Sequence, residues 1–179
     1  MDLVKSLLKN MTESSAVESL AGQTGGSDAQ IEQVIRSAVP KLLNSMKSNA
    51  STEEGKKSLL GALGQHKNTD PIASQIKNAD KIDGSKIISK ILGGDKDDFI
   101  KALSGESGLD KDQTSSVLSS LAPALMSSVS AANSSSEQRQ EQPSLGDFFK
   151  SILVDDDDKE VLAQNEGSSL LDILKKTLL

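Results

Sequence analysis

The sequence predicts an all-α fold, and three observations carry that expectation. Apolar residues recur at three- and four-residue steps, as in Ile31, Val34, Ile35, Ala38, Leu42, Leu43 and Met46; this spacing lines one face of a helix. No segment sustains the apolar–polar alternation of a half-buried strand. Trp, Tyr and Cys are absent and only 3 Phe occur among 179 residues, so the core must come from Leu, Ile, Val, Ala and Met. Aliphatic cores of this kind suit helix-on-helix layers better than sandwiches, which favour aromatic and β-branched residues.

Taken in order, Leu3, Val4, Leu7 and Leu8 place an amphipathic helix at the start. Ser27-Asp28-Ala29-Gln30 has the form of a capping box, in which the serine oxygen accepts from the third helical N–H and the glutamine reaches back. Asp110-Lys111-Asp112-Gln113 repeats the arrangement. Pro40 lies inside the long run that follows the first box, and Pro123 inside the second. Proline lacks an N–H and its ring clashes with the preceding turn, so each long helix is expected to kink or split there. Ser51-Thr52-Glu53-Glu54 reads as a third box, opening a helix through Leu59, Leu60 and Leu63 that stops at Gly64. Pro71 suits the first position of the next helix, whose apolar residues are Ile72, Ala73, Ile76 and Ala79. Asp83 or Ser85 is expected to cap a helix bearing Ile87, Ile88, Ile91 and Leu92, closed by Gly93-Gly94. Phe99, Ile100 and Leu103 mark one more short helix.

The chain also repeats itself. Leu20-Ala21-Gly22-Gln23-Thr24-Gly25 returns 83 residues later as Leu103-Ser104-Gly105-Glu106-Ser107-Gly108. At the same offset Gln30 meets Gln113, Val34 meets Val117, Pro40 meets Pro123 and Leu42 meets Leu125. A period of this size exceeds the 20–50 residues of solenoid units, so the pattern predicts two homologous multi-helix halves, residues 1–83 and 84–135. From about residue 130 to 143 the sequence is Ser- and Gln-rich with almost nothing to bury, which predicts a flexible linker, assigned to 136–143. Beyond it, 144–179 carries two amphipathic stretches, one with Phe148, Phe149 and Ile152, the other with Leu170, Leu174 and Leu178. Both are expected either to dock on the body or to bind a partner helix-in-groove.

Several function classes are disfavoured by composition. The net charge is −6 and the basic residues are scattered, whereas nucleic-acid binding rests on clustered Lys and Arg. No nucleic-acid partner is therefore expected. Lys5 and Lys9 interrupt the first apolar run, and no stretch reaches the roughly 18 apolar residues of a membrane span. The expectation is a cytoplasmic protein without integral membrane insertion. The absence of cysteine excludes disulfides, thiolate metal sites and cysteine nucleophiles.

The polar candidates are thin. His66, the single histidine, lies near Asp70, a pair that would serve as a general base or half a metal site. It reads more simply as a helix C-terminal residue bonded to local backbone. Asp155-Asp156-Asp157-Asp158 lacks the central glycine of a calcium loop and reads as solvated charge. Gly55-Lys56-Lys57-Ser58 lacks the first glycine of a phosphate loop, and the other Gly pairs read as helix terminators. No G-x-S-x-G elbow supports a serine nucleophile. No catalytic, metal or cofactor-binding residue is assigned, and no cofactor is expected.

Residues 1 to about 153 resemble the bacterial family catalogued as domain of unknown function 937. The resemblance is carried by Leu20-Ala21-Gly22, Ala38-Val39-Pro40, Leu59-Leu60-Gly61-Ala62-Leu63 with His66, Asp83-Gly84-Ser85-Lys86-Ile87 running to Leu92-Gly93, Ser107-Gly108-Leu109 and Leu121-Ala122-Pro123. It implies a helical bacterial protein and transfers no active site. The expectation is a non-enzymatic interaction or scaffold protein, with partner binding or self-association through its amphipathic helices. The alternatives are a carrier of a small apolar ligand in a helical cleft and, behind it, an enzyme using His66 and Asp70.

Overall fold

In the computed structural model, residues 3–137 and 145–152 are described, and their regular structure is entirely helical. The order is α1 (Leu3–Met11), α2 (Ser14–Thr24), α3 (Asp28–Asn49), α4 (Glu53–Gln65), α5 (Ile72–Lys77), α6 (Lys81–Leu92), α7 (Lys96–Ser107), α8 (Lys111–Glu137) and α9 (Leu145–Ile152). A 3-10 turn at Gly93–Asp95 joins α6 to α7.

Side-chain caps set the starts of the long helices. Ser27 accepts from the Gln30 amide and Gln30 accepts from the Ser27 N–H, closing a full capping box at α3. At α8, Asp110 accepts from the Gln113 amide at 2.7 Å while the Asp110 N–H donates to Gln113 at 3.1 Å. Both preceding helices end on a left-handed glycine, Gly25 at φ 75° and Gly108 at φ 73°. A side chain there would meet the Cβ–carbonyl conflict that glycine avoids.

The two capped helices form the centre. α3 and α8 touch each other, and between them they contact every other described helix. α3 buries Ile31, Val34, Ile35, Ala38, Val39, Leu42, Leu43 and Met46. α8 buries Val117, Leu118, Leu121, Ala122, Ala124, Leu125, Met126 and Val129. Each fully buried aliphatic side chain of this size contributes about 1.5–3 kcal/mol relative to exposure. That is why helix continues on both sides of Pro40 and Pro123 without a break. An interior proline costs about 3 kcal/mol, and apolar anchors before and after each proline offset it. Neither long helix is split.

Four expectations need correction. α8 runs to Glu137, and Ser130 is buried with its hydroxyl donated to the Leu63 carbonyl at 3.0 Å. Residues 130–137 are therefore helix, not linker, because the 27-residue rod keeps burying Val129 and Ser130 past the point where composition turns polar. Asp80, not Asp83 or Ser85, caps α6, accepting from the Ile82 and Asp83 amides. The expected boundary at 83/84 thus falls inside the first turn of α6. Thr52, not Ser51, caps α4 and accepts from the Gly55 amide at 3.1 Å; glycine at that position has no side chain to reciprocate. Pro71 is the N-cap of α5 and not its first residue, which is Ile72. Phe148 and Phe149, for which docking on the body was one of the two expectations, are 2% and 0% exposed.

α6 packs directly against the backbone of α8 at Gly84. A Cβ built there would lie 1.8 Å from the Ser119 carbonyl oxygen, so only glycine fits. Among the described residues, one helical segment, 111–134 of α8, is long and apolar enough by length and composition to cross a membrane, and most of it is buried in the fold.

Candidate functional site at the junction of α4, α5 and α6

α4 ends where His66 serves as its C-cap, the His66 N–H donating to the Ala62 carbonyl at 3.2 Å. The loop after it turns on Asn68, whose side-chain oxygen accepts from the Asp70 amide at 2.8 Å. Pro71, with φ −53° and ψ 140°, then leads into α5. Gln75 of α5 is 9% exposed and holds this loop from beneath. Its amide nitrogen donates to the Asp70 carbonyl at 2.7 Å and to the Asn68 carbonyl at 3.4 Å. Its oxygen accepts from the Ser127 hydroxyl of α8.

These elements enclose a polar cavity of about 300 Å³. His66, Asp70, Gln75, Asp80, Asp83 and Ser127 are among its walls. The expected pairing of His66 with Asp70 is not the one observed. His66 Nε2 lies 3.4 Å from Asp83 Oδ2; Asp70 lines the same cavity and uses its backbone groups on Asn68 and Gln75. The reason is topological. His66 leaves α4 toward the first turn of α6, which Asp80 starts three residues earlier than the sequence suggests. The His66 side chain is 17% exposed and that of Asp83 45%, so the pair is half-solvated and worth less than about 1 kcal/mol.

The arrangement orients an imidazole beside a carboxylate. The Ser127 hydroxyl is engaged with Gln75 and with the Pro123 and Ala124 carbonyls of its own helix. Among the described residues, no three His, Asp or Glu side chains are grouped to hold a metal ion, and every buried side-chain nitrogen or oxygen has a hydrogen-bond partner. Sequence reasoning missed Gln75, Ser127 and the role of Asp83. Gln75 carried a signal, since it sits beside Ile72 and Ile76 on the buried side of α5; a polar residue there implies an interior partner. Ser127 is one of many serines and carried none.

A second, apolar depression of about 100 Å³ is lined by Leu59, Ala62, Ile87, Ile91 and Met126, with Asn49 and Lys90 at its edge. Of the expected interaction residues, Phe148 and Phe149 lie in the core and Ile152 closes α9. Leu170, Leu174 and Leu178 lie outside the described residues, as does the Asp155–Asp158 run.

No curated protein and no solved structure is detectably similar to this chain. A family model described as bacterial protein of unknown function (DUF937) matches residues 6–132, a span that contains α2 through α7, most of α1 and α8, and the whole polar cavity. The chain therefore belongs to that bacterial family of unknown function, DUF937.

Proposed function

We propose that this chain is a non-enzymatic helical interaction protein of the bacterial cytoplasm. The observation that supports the reading best is the state of the polar cavity at the junction of α4, α5 and α6. His66 faces a carboxylate, and Gln75 and Ser127 are consumed in holding the loop above them. A catalytic base needs a reacting group within hydrogen-bond reach, and the hydroxyl most buried in this cavity is committed elsewhere. Carriage of an apolar ligand finds less support, since the aliphatic depression of about 100 Å³ falls below the roughly 300–1,000 Å³ of ligand pockets, and the wider groove of about 540 Å³ between α2 and α5 is lined mainly by polar residues, among them Glu18, Gln23 and Lys77.

Cross-linking of the intact chain in its host cell, with light scattering of the purified chain over a concentration range, tests the proposal. Reproducible cross-links to one protein, or a mass that rises with concentration, support it. A monomer without cross-links, together with a turnover that His66→Ala abolishes, overturns it.

We also infer that the body arose by tandem duplication. Both capping boxes, Ser27 with Gln30 and Asp110 with Gln113, fall at the offset of 83, and both left-handed glycine caps do too. The halves also bond reciprocally. Ser120 of α8 donates to Gln23 of α2 at 3.3 Å, and Ser37 of α3 bonds Glu106 of α7, the same pair with the halves exchanged. A bend at Pro40 matched by one at Pro123 is part of this proposal; residual dipolar couplings along α3 and α8 measure it.

A further inference from the structure

The last described helix differs from the rest in how it is attached. α9 lies beyond the family match, which ends at residue 132, while the helices it packs against, α3, α4 and α8, lie within it apart from the end of α8. It is joined to α8 only through residues 138–144. Three of its apolar residues, Leu145, Phe148 and Phe149, are spaced i, i+3 and i+4, and they are 5%, 2% and 0% exposed. The two rings meet edge to face at 5.4 Å. Three anchors at that spacing on a short helix are the signature of helix-in-groove recognition, seen here within one chain.

We propose that α3, α4 and α8 form a helix-binding groove and that α9 is a releasable latch occupying it. The ligand class is a short amphipathic helix with an aliphatic anchor followed at three and four residues by aromatic ones. α9 itself defines the pattern. The aromatic anchors are the deepest part of the contact, since Phe148 and Phe149 are more fully buried than Leu145. A tethered helix competes at an effective concentration of about millimolar. A partner helix therefore gains the groove only when α9 is displaced or when it binds more tightly. This inference rests on the interaction reading above, naming the surface and the partner's chemistry.

The test uses the full chain carrying Phe148→Asp with Phe149→Asp, which removes the latch by placing charge on its buried face, and a fluorescent synthetic peptide of residues 143–154. Circular dichroism of the variant is expected to retain the helical signal of α1 to α8. The peptide is expected to bind the variant, and to bind the unaltered chain at least about tenfold more weakly because the tethered copy competes. A peptide with both phenylalanines changed to Asp is expected not to bind. Loss of the helical signal both in this variant and in the milder pair Phe148→Ala with Phe149→Ala makes α9 an integral core helix and overturns the proposal. So does a folded variant that binds no peptide, or equal binding to variant and unaltered chain. In-cell cross-linking is independent of this readout: the groove can bind peptide while the chain shows no partner, which separates failure of the interaction reading from failure of the groove.

Discussion

Replacing Gly84 with alanine is expected to destabilise the protein by about 3 kcal/mol. The new Cβ would lie 1.8 Å from the Ser119 oxygen, 2.7 Å from its carbonyl carbon and 3.0 Å from its Cα. All three are backbone atoms, so no rotamer change relieves the contact. The helices must part by well over an ångström before the oxygen reaches ordinary contact near 3.4 Å. Ile87, Ile88 and Ile91 of α6 then draw back from the core they fill. A gap of about 0.5–1 Å already forfeits a quarter to a half of each contact's dispersion energy, and overpacking of this kind costs about 1–3 kcal/mol, sometimes more. Alanine's advantage over glycine inside a helix returns about 1 kcal/mol, so a net loss of about 3 kcal/mol corresponds to strain of about 4 kcal/mol, beyond the usual range because the backbone on the far side has no rotamer to change. For a chain of this size, the melting temperature should fall by roughly 6–12 °C. Urea unfolding followed by circular dichroism measures the change. Gly61→Ala on α4 is the control: nothing lies within 4 Å of its Cβ position, and the change should stabilise by about 0.5–1 kcal/mol. A Gly84→Ala midpoint equal to or above that of the unaltered chain would refute the close-approach argument.

Ser127→Ala leaves the buried Gln75 oxygen without the donor that now faces it; a loss of about 1–3 kcal/mol is expected in urea unfolding, and Gln75→Met in the same background should recover part of it. Ser27→Ala and Asp110→Ala each remove a helix cap and should cost about 1 kcal/mol, the two losses adding because the caps serve different helices; calorimetry of both single variants and the double checks this. The Glu106 carboxyl is held below its ordinary value by the hydrogen bond with Ser37, then by the hydrogen bond and positive charge of Lys41. Its folded-state value is thus depressed, so its stabilising contribution is present above the unfolded value and is lost as pH falls through the folded one. Carbon-13 NMR should show the Glu106 midpoint below 4.5, and Ser37→Ala should move it upward; no movement would show that the Ser37 bond is not the main cause.

Helix positions and the body's core were legible in the sequence because both depend on local pattern. The apolar series from Ile31 to Met46 lies on the buried side of α3 residue by residue, and the Ser27 box forms as its residue types predict. The start of α6 was misplaced because Asp80, Asp83 and Ser85 are all good cap residues, and only the path of the chain selects among them. The end of α8 was misplaced for a related reason: a Ser-rich stretch reads as linker until a neighbouring carbonyl, here that of Leu63, gives one serine a buried partner.

The candidate site was less legible than the fold. His66 stood out as the single histidine, yet its partner is 17 residues away and not the nearby Asp70. Gln75 and Ser127 meet across 52 residues of chain, and no local rule pairs them.

By itself the amino-acid sequence determined that this protein is helical, where its two longest helices begin and which face of each is apolar, because propensity, capping and amphipathic spacing act over a few residues. Tertiary structure alone decided that α6 presses on α8 at a glycine, that His66 turns to Asp83, and that the phenylalanines of α9 are inside. Those outcomes depend on which distant backbones come within a few ångströms of each other, and that distance is set by the packing of the whole core.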